Sequence, residues 1–585
     1  MEKNESNLSS DSQDSKNVKE EVNNDLDPFA YVVNNGFTSE IFKVEIRGLP
    51  RYYGIGEFRK LLKSKLKLDC SKVKSPKGGS PWLYACFRSE EERKKAISLL
   101  SGYKWKGSIL SVKTADPVPD PLIKRRLEES NDSPNKKIKY ETPEEQKEAL
   151  LMSVAPKWNV AYENQINNKH ENAKSLLIRL GMQLVRANPL LKDWIENQKQ
   201  LNEGLPCKLL NTRFLENEPN CYRNKCEFTI GKDEVTEERR VGFRLGSYAS
   251  GSISVGPIDD IPTLPKIVIE SAKVFEKFVQ KSQFEVFSPK DLSGHWKQLT
   301  VRLGMGTGEV MVVVGFHPQN LNAEEISTLK EEIKEFYKCG AGAESRVDSL
   351  HFQLMKRKER GSQGSEYELL LGKECIEEIL CGLKFKISPA SFFQINTRCA
   401  EVLMKTVREL SNIDQDTVLV DVCCGTGTIG LCLAKDCSRV LGIEIVEQAV
   451  KDAKENAVTN EISNCEFFCG KADEILDSVM SRVKENEKCV AILDPPRAGL
   501  HPKAILMLRR PKNLDRIVFM SCDGNAAFNN FVELGRNTSK TLSGDPFLPI
   551  AAVAVDMFPH TDHYELVLYF ERVSREKLLS FSKEK

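Results

Sequence analysis

The sequence predicts an α/β protein whose carboxyl-terminal part folds as a doubly wound parallel sheet. Three observations support this: apolar stretches alternate with helical patterns between residues 417 and 520, a glycine-rich turn follows the first stretch, and acidic residues end several of them. Such alternation places helices on both faces of a parallel sheet. Because ligands of these sheets bind at the carboxyl ends of the strands, we expect the chemistry there.

Length and composition exclude several classes of protein. The chain has 585 residues, which corresponds to about three or four domains at roughly 150 residues each. Its longest apolar run, Ile550–Val555, is far shorter than the ~20 residues of a membrane helix, so we expect no membrane partner. The start, Met1–Asn4, has neither a basic nor an apolar stretch, which argues against secretion. The seventeen cysteines are scattered, which is typical of a reducing compartment rather than a disulfide scaffold.

Charge and pattern divide the chain into six segments. Residues 1–40 contain nine acidic and three basic residues and few apolar ones, which predicts a disordered tail. Residues 43–114 contain eighteen basic and six acidic residues, a net charge of +12 that indicates a phosphate-binding footprint or a solvated surface. The predicted segments are an acidic tail (1–40), a small domain (41–116), a basic linker (117–150), a central helical and β domain (151–375), a cofactor-binding domain (376–575) and a short tail (576–585).

The small domain is predicted to be a strand–helix–strand–strand–helix–strand unit. Apolar residues alternate in its strands, as at Leu83, Ala85 and Phe87, and take helical spacing in residues 56–66 and 90–100. The order resembles an RNA-recognition motif, which has a ferredoxin-like fold, and implies that Trp82 and Tyr84 stack on bases. A degenerate module that docks protein is the alternative. The net charge favours RNA contact with little sequence specificity.

The linker carries two basic clusters, Lys124-Arg125 and residues 136–139, with ten residues between them. The spacing resembles a bipartite nuclear-import signal, so we expect the protein in the nucleus and the cytoplasm; a solvated linker is the alternative. From Leu150 to about Gln200 the pattern is helical. Residues 205–375 show short alternating strands and glycine-rich turns, which predicts an α+β or mostly β domain.

The strongest motif begins at the apolar strand Val418–Val422. The turn after it contains Gly425, Gly427 and Gly430, which permit close approach of a ligand to the next helix. A second strand ends at Glu444, nineteen residues after the first glycine, where a carboxylate can accept both hydroxyls of a ribose. An acidic residue such as Asp421 in the first strand is typical of S-adenosylmethionine enzymes with this Rossmann-like sheet. The segment therefore resembles a class I S-adenosylmethionine-dependent methyltransferase domain.

Three further strands bring chemical groups to the same edge. The third leads to Asp473, expected near the cofactor, and the fourth ends in Asp494-Pro495-Pro496-Arg497. Amino-group methyltransferases have an aromatic residue at the fourth place of a similar motif, so Arg497 argues against amine chemistry. The fifth strand is followed by Ser521-Cys522. An inert buried cysteine is the usual alternative, but this place at the ligand edge favours a reactive thiol.

A cysteine suits the chemistry of carbon 5 of uracil, which is too weak a nucleophile to attack a methyl sulfonium. A thiolate that adds to carbon 6 creates an enolate whose carbon 5 can attack. A base must then remove the proton from carbon 5 before the thiolate leaves. Residues 558–565 offer Glu565 as that base, with His560 and His563 as alternatives.

From about Val154 to Val573 the sequence resembles the RNA uracil-5-methyltransferases. The resemblance rests on motifs that follow one another in order: 222–228, 295–299, 387–396, 421–430, 494–501, Cys522 and 558–565. It implies that Gln394, Glu444 and Asp494 contact S-adenosylmethionine, that Cys522 is the nucleophile, and that Glu565 accepts the proton. It also implies a tRNA substrate modified at the T-loop uridine, with other RNA left open, and a monomer. We expect Arg223 and Arg497 to contact the RNA.

Two departures from the family bear on activity. Asp523-Gly524 stands where the family has Asn-Pro; we expect a carboxylate there to raise the pKa of Cys522 and slow the enzyme. Some relatives hold a four-iron cluster, but Cys221 and Cys226 lack a nearby C-x-x-C, so we predict neither cluster nor metal. A tRNA-binding chaperone with weak or lost methylation is the alternative function. An RNA cytosine-5-methyltransferase is less compatible, because its cysteine would occupy the place of Asp494.

Overall fold

The computed structural model describes residues 41–50, 53–75, 81–116, 142–216, 218–233, 235–246, 254–289, 292–355, 366–540 and 542–581. The predicted acidic tail, both basic clusters of the linker and the last four residues lie outside these ranges. The chain forms two compact units, residues 1–136 and 137–585. No helix among the described residues has the length and apolar character needed to cross a membrane.

The described part of the first unit contains one four-stranded sheet and two helices. Its elements are β1 (Phe42–Arg47), α1 (Ile55–Lys60, continued by a wider π turn to Lys65), β2 (Lys72–Lys74), β3 (Trp82–Phe87), α2 (Glu90–Leu100), β4 (Lys104–Trp105), β5 (Ser108–Ile109) and β6 (Ser111–Thr114). The sheet is antiparallel in the order β2-β3-β1-β6, and β4 and β5 form a separate hairpin. Strands and helices thus follow the predicted order.

Alternation along β1 and β3 explains which face of this sheet is buried. Val44, Ile46 and Leu83 have no exposed surface and pack in one cluster with Phe58 of α1 and Leu100 of α2. Because successive strand residues point to opposite faces, the residues between them lie on the other face. That face carries Trp82 and Tyr84, as the sequence predicts.

The second unit begins with helices and a mixed sheet. Its first elements are α3 (Pro143–Val154), α4 (Tyr162–Ala187), α5 (Lys192–Leu201), β7 (Lys208–Leu209), β8 (Lys225–Lys232), β9 (Arg239–Arg244), β10 (Val255–Gly256), α6 (Lys266–Lys281), β11 (Trp296–Leu303), β12 (Val310–Phe316), α7 (Ala323–Lys338), β13 (Ser349–Leu354) and β14 (Tyr367–Gly372). Strands β8 to β14 form a seven-stranded sheet in the order β10-β9-β8-β11-β12-β13-β14, antiparallel except for β12 and β13. This agrees with the predicted α+β region.

The remaining elements build the sheet that carries the motifs. They are β15 (Ile376–Leu380), β16 (Leu383–Ile387), α8 (Thr397–Ser411), β17 (Thr417–Val422), α9 (Thr428–Leu433), β18 (Arg439–Glu444), α10 (Glu447–Thr459), β19 (Cys465–Cys469), α11 (Ala472–Met480), β20 (Lys488–Leu493), α12 (Pro502–Arg509), β21 (Leu514–Ser521), α13 (Phe528–Gly535), β22 (Phe547–Val555), β23 (Glu565–Arg572) and α14 (Arg575–Phe581). The strand order is β19-β18-β17-β20-β21-β23-β22-β7. Strands β17 to β21 are parallel and β23 is antiparallel to both neighbours.

Two boundaries differ from the predicted segments. Helix α3 begins at Pro143, inside the predicted linker, because Thr142 caps its first turn through the Glu145 N–H. Helix α14 covers part of the predicted tail at 576–585. Segment 162–209, assigned to the central domain, packs on the eight-stranded sheet that carries the motifs, called the catalytic sheet below: β7 pairs with β22, and Leu177 and Leu180 of α4 share one core with its strands.

Candidate active site

The glycine-rich turn connects β17 to α9. Gly425 and Gly427 have φ values of 55° and 78°, in the left-handed region that favours glycine. A Cβ atom at Gly427 would lie 3.0 Å from the Phe467 ring, so the turn packs closely on β19. A Cβ at Gly425 would meet no described atom within 4 Å. The turn is thus packed on one side and open on the other.

Asp421 is buried below this turn. Its Oδ2 accepts the N–H of Gly430 at 2.9 Å, which ties the end of β17 to the first turn of α9. Its Oδ1 is buried and has no hydrogen-bond partner among the described residues. Burial, partly opposed by the Gly430 bond, raises the pKa of Asp421 to about 7. An orphaned carboxylate oxygen of this kind needs a proton or a donor from a ligand.

Glu444 ends β18 beside the same turn. One carboxylate oxygen accepts the N–H of Gly425 at 3.1 Å and the other accepts the N–H of Val446 at 2.8 Å. The side chain is therefore held in place at the mouth of the turn. Ile445 and Val446 next to it are more than half exposed, which leaves an apolar surface beside a fixed carboxylate. These groups match the two parts of an adenosine, a ribose and a flat base.

Cys522 lies directly after β21, at the same edge. Burial and then the Glu565 carboxyl raise the pKa of its thiol, whereas the Arg497 guanidinium lowers it. Arg497 itself is exposed. The structure therefore brings together Cys522, Arg497 and Glu565, which lie up to 68 positions apart in the chain.

Glu565 begins β23 and is 4% exposed. Burial and the neighbouring Asp494 raise its pKa well above the usual range of a glutamate. Its Oε2 is buried without a partner among the described residues. Asp494, at the end of β20, is affected in the same direction, since burial raises its pKa to about 7. The site thus holds acidic groups that are poised to carry protons.

The turn after Cys522 contains Asp523, the carboxylate that stands where the family has asparagine. Asp523 Oδ1 accepts the N–H groups of Asn525 and Ala526, both at 3.0 Å, so the carboxylate caps the following turn. The largest contributions that raise the pKa of Cys522 are burial and the Glu565 carboxyl, with a smaller one from Asp494. The effect of Asp523 on the thiol and on the rate remains a prediction.

The two histidines proposed as alternative bases differ in position. His560 is buried, and its ring nitrogens contact Gln165 Nε2 at 3.4 Å and Asn220 Oδ1 at 2.8 Å. His563 is exposed, and its N–H donates to Thr561. The ring of His560 is thus held by contacts with its neighbours, whereas Glu565 Oε2 has no hydrogen-bond partner among the described residues.

Gln394 lies in the segment before α8. Its carbonyl accepts Asn224 Nδ2 at 2.8 Å, and Asn396 Nδ2 donates to the Met557 carbonyl at 3.2 Å. The segment is therefore fastened to both the mixed sheet and the loop before Glu565. Phe392 in the same segment is 68% exposed, a large value for an aromatic side chain. The sequence does not single out Phe392, because exposure of one of two adjacent phenylalanines has no local signal.

Two other predicted site residues lie in less distinctive surroundings. Asp473, in the first turn of α11, faces His501 with 3.7 Å between Oδ2 and Nδ1. Arg223 is half-buried and its Nε donates to the Lys225 carbonyl at 3.1 Å. Their assignments to cofactor and RNA remain predictions.

Trp82 and Tyr84 are half-buried on the other face of the first unit's sheet, with a cation over each ring. Lys43 Nζ is 4.1 Å from the Tyr84 ring centre and the Arg47 guanidinium carbon is 5.2 Å from that of Trp82. Glu45, which lies between these two cations in the sequence, accepts a hydrogen bond from Arg47 Nε at 2.6 Å. The predicted stacking on bases would require these cations to move.

Within the part of the chain that the structure describes, no group of three or more His, Cys, Asp or Glu side chains could hold a metal ion. The absence of a metal or iron–sulfur cluster therefore remains a prediction.

Taken together, the sheet order and the strand-end carboxylates define a doubly wound α/β enzyme with its site at the carboxyl edge. The family described as tRNA (Uracil-5-)-methyltransferase matches residues 346–573. The tRNA (uracil-5-)-methyltransferase homolog A of Mus musculus is 38% identical over 548 residues, which cover 94% of this chain and 87% of that protein. The Homo sapiens homolog A is 39% identical over 546 residues, covering 93% and 85%.

A solved structure also resembles the chain: Pyrococcus abyssi tRNA (uracil-54, C5)-methyltransferase in complex with S-adenosyl-L-homocysteine, with 26% identity, a TM-score of 0.46, and coverage of 66% of this chain and 83% of that one. On the evidence of the curated relatives, the chain belongs to the tRNA (uracil-5-)-methyltransferase family.

Proposed function

We propose that this enzyme uses S-adenosylmethionine to methylate carbon 5 of the T-loop uridine of tRNA, through a covalent bond between Cys522 and carbon 6. The single observation that carries the proposal is the placement of Cys522 beside Glu565: Ser521 of β21 pairs with Leu566 of β23, and the buried Glu565 carboxyl has an oxygen without a partner among the described residues. A hydrolase or a hydride-transfer enzyme would not need this pair at the edge of a cofactor turn. Carbon-5 methylation needs both groups.

The residues of the glycine-rich turn suit S-adenosylmethionine. Glu444 is fixed where it can accept the ribose hydroxyls, Ile445 offers an apolar surface to the adenine, and the open side of Gly425 admits the ligand. The orphaned oxygen of Asp421 below the turn suits a cationic or hydrogen-bond-donating ligand. When bound there, S-adenosylmethionine supplies an electrophilic methyl group for transfer to carbon 5.

Before that transfer, Cys522 acts as the nucleophile. Its thiolate sulfur forms a bond to carbon 6, and the electron pair of the carbon 5–carbon 6 double bond moves toward oxygen 4 of the uracil. Arg497 assists by lowering the pKa of the thiol against the opposing effects of burial and Glu565. Phe392, exposed beside Gln394, offers a face on which the uracil can stack.

After the transfer, Glu565 acts as the base. Its carboxylate takes the proton from carbon 5, the double bond to carbon 6 re-forms, and the sulfur–carbon bond breaks to return the thiolate. The raised pKa of Glu565 makes its carboxylate a stronger base than an exposed glutamate would be. Because it is also protonated more readily, this step depends on pH.

The test is mass spectrometry of nucleosides from unmodified tRNA incubated with the full chain and S-adenosylmethionine. We expect 5-methyluridine at one T-loop position and loss of hydrogen from carbon 5 in equal amount. Tight tRNA binding without 5-methyluridine would instead indicate the tRNA-binding chaperone, and methylcytidine would indicate cytosine chemistry.

A further inference from the structure

One long helix touches both of the loops that hold the reactive side chains. Helix α4 precedes the mixed sheet in the chain and carries none of the motifs of the catalytic sheet. Tyr162, Gln165, Lys169, Leu176 and Arg179 are spaced along it by three, four, seven and three residues, which places them on one stripe. The inference that follows rests on the proposed covalent mechanism.

The amino-terminal half of the stripe holds the loop between β22 and Glu565. Lys169 Nζ contacts Asp556 Oδ1 at 2.5 Å and donates to the Phe558 carbonyl at 3.0 Å. The side chains of Lys169 and Asp556 are 1% and 0% exposed. Tyr162 donates its hydroxyl to the second oxygen of Asp556 at 3.0 Å. A buried ion pair with its further hydrogen bonds satisfied has little freedom to move.

The same half of the helix holds the loop at a second point, His560. Gln165 accepts the backbone N–H of His560 at 2.8 Å, while its amide contacts the imidazole. His560 has a φ of 65°, a left-handed conformation that is strained for a histidine. Since strain of this kind persists only where neighbours enforce it, the helix contributes to the path that the chain takes into Glu565.

The carboxyl-terminal half of the stripe contacts the turn after Cys522. Arg179 donates to Asn525 Oδ1 at 2.5 Å and lies 4.3 Å from the centre of the Phe528 ring. Leu176 packs against Gly524 so closely that a Cβ atom there would lie 2.8 Å from its Cδ1. The turn that aims the thiol is therefore fitted to the surface of the helix.

We propose that α4 is the positioning element of this active site: Lys169 positions the loop that carries Glu565, and Arg179 positions the turn that follows Cys522. The two residues are ten positions apart, which on a straight helix separates them by about 15 Å. A rigid helix therefore sets the nucleophile and the base relative to each other. Neither residue touches the substrate; each acts through the loop that it holds.

The two halves should control different steps of one reaction. Loss of the Lys169 or Tyr162 contact moves Glu565 and slows removal of the carbon-5 proton, whereas loss of the Arg179 contact slows attack by Cys522. A displacement of ~1 Å can cost about a hundredfold in rate. Because loss of one contact loosens the loop only in part, we expect the affected step to slow about tenfold.

The experiment compares full-length variants in single-turnover reactions with T-arm RNA and S-adenosylmethionine. Attack is followed as the covalent complex formed with 5-fluorouridine RNA, because fluorine cannot leave as a proton. Proton removal is followed as tritium released from uridine labelled at carbon 5. The variants are Lys169→Met, Tyr162→Phe and Arg179→Met. The control is Lys174→Met on the same helix, which removes a lysine whose partner is the exposed Glu171.

For Lys169→Met we expect tritium release to slow about tenfold, complex formation with 5-fluorouridine RNA to stay within about twofold, and a covalent complex to accumulate with ordinary uridine. Lys169→Met leaves Asp556 without its cation and can fail to fold. Tyr162→Phe removes only one hydrogen bond and leaves the buried ion pair in place, so we expect this variant to fold. Its tritium release should slow about fivefold. Arg179→Met should slow complex formation without such accumulation, and Lys174→Met should change neither rate.

Equal loss of both rates in Tyr162→Phe, or no change in either, would overturn the proposal, because a purely structural helix affects all steps alike. If the unsubstituted enzyme forms no complex with 5-fluorouridine RNA, it is the covalent mechanism that fails. The two failures are therefore distinguishable.

Discussion

The face of the first unit's sheet that carries Trp82 and Tyr84 and the carboxyl edge of the catalytic sheet both hold charged groups, but the two regions differ in whether those groups have partners among the described residues. On the first, Glu45 is bound by Arg47 and Lys113, and Tyr84 donates to it at 3.4 Å. On the second, Asp421 and Glu565 each keep a buried oxygen without a partner among the described residues.

The difference separates two kinds of function. Charges that pair with one another act weakly as individual groups, so the first region acts through the net charge of +12 of residues 43–114, which suits attraction of a polyanion. Buried carboxyls that lack partners have shifted pKa values and remain available for proton transfer. We therefore expect affinity to depend on the first region and chemistry on the second.

The largest effect is expected at the base. Glu565→Gln should slow release of the methylated product by about 10²- to 10⁴-fold, the range that a general base contributes. Binding of tRNA should change little, because the substitution keeps the shape of a buried side chain. Single-turnover product release and an independent binding assay check this, and a parallel loss in affinity would contradict the division between the two regions.

Removal of the first unit should weaken tRNA binding and leave the position of methylation unchanged. A chain without residues 1–116 should bind tRNA about tenfold more weakly at ~0.1 M salt and show a flatter salt dependence, since fewer counterions are released. The methylated position should stay the same. The matched control, Trp82→Ala with Tyr84→Ala, should cost less than about threefold, because each ring lies under a cation. If that double variant equals the deletion, base stacking rather than charge supplies the affinity.

The pH dependence of the reaction rate should test the assignment of the Cys522 thiol as the nucleophile. The pKa values of Cys522 and Glu565 are both raised, and each group must lose its proton to act, so the rate should rise with pH through neutrality. Arg497 lowers the pKa of Cys522; Arg497→Met should thus shift the profile to higher pH and slow adduct formation at neutral pH, because less of the thiol is ionised there. Arg497→Lys should retain most of the rate, and a flat profile in the unsubstituted enzyme would contradict this.

The smallest effect is expected at Gly524. A Cβ there would lie 2.8 Å from Leu176 Cδ1 and 3.1 Å from Leu566 Cδ2, so Gly524→Ala should slow adduct formation about threefold, because overpacking moves the turn. Leu176→Ala should restore the rate in the double variant. Resemblance to the family alone suggests that proline at this position would accelerate the enzyme; Gly524→Pro should slow it unless Leu176 is also reduced.

The sequence predicts the strands and their acidic ends well, because a parallel strand buried on both faces is a continuous apolar run. Asp421, Glu444, Asp494 and Cys522 follow such runs and were found at one edge. The domain boundary at residue 375 was harder to predict from the sequence. Strand β7 at Lys208–Leu209 lies before that boundary but pairs with a strand more than 340 positions later.

The contacts that orient the site were not predictable in this way. Lys169 meets Asp556 across 387 positions, and a lysine in a long helix reads as a surface residue until its partner is known. The capping role of Asp523 was not predicted either, because whether a carboxylate caps a turn depends on backbone geometry. Local pattern indicates where the groups are, whereas long-range contacts decide how they are aimed.

The central claim is that Cys522 attacks the uracil covalently. Full-length enzyme is mixed with T-arm RNA containing 5-fluorouridine and S-adenosylmethionine, and the complex that survives denaturation is digested and mapped by mass spectrometry. We predict one nucleotide attached to the peptide that contains Cys522, and no complex with Cys522→Ser. A nucleotide attached at another residue, or a complex that persists in the serine variant, would contradict the mechanism.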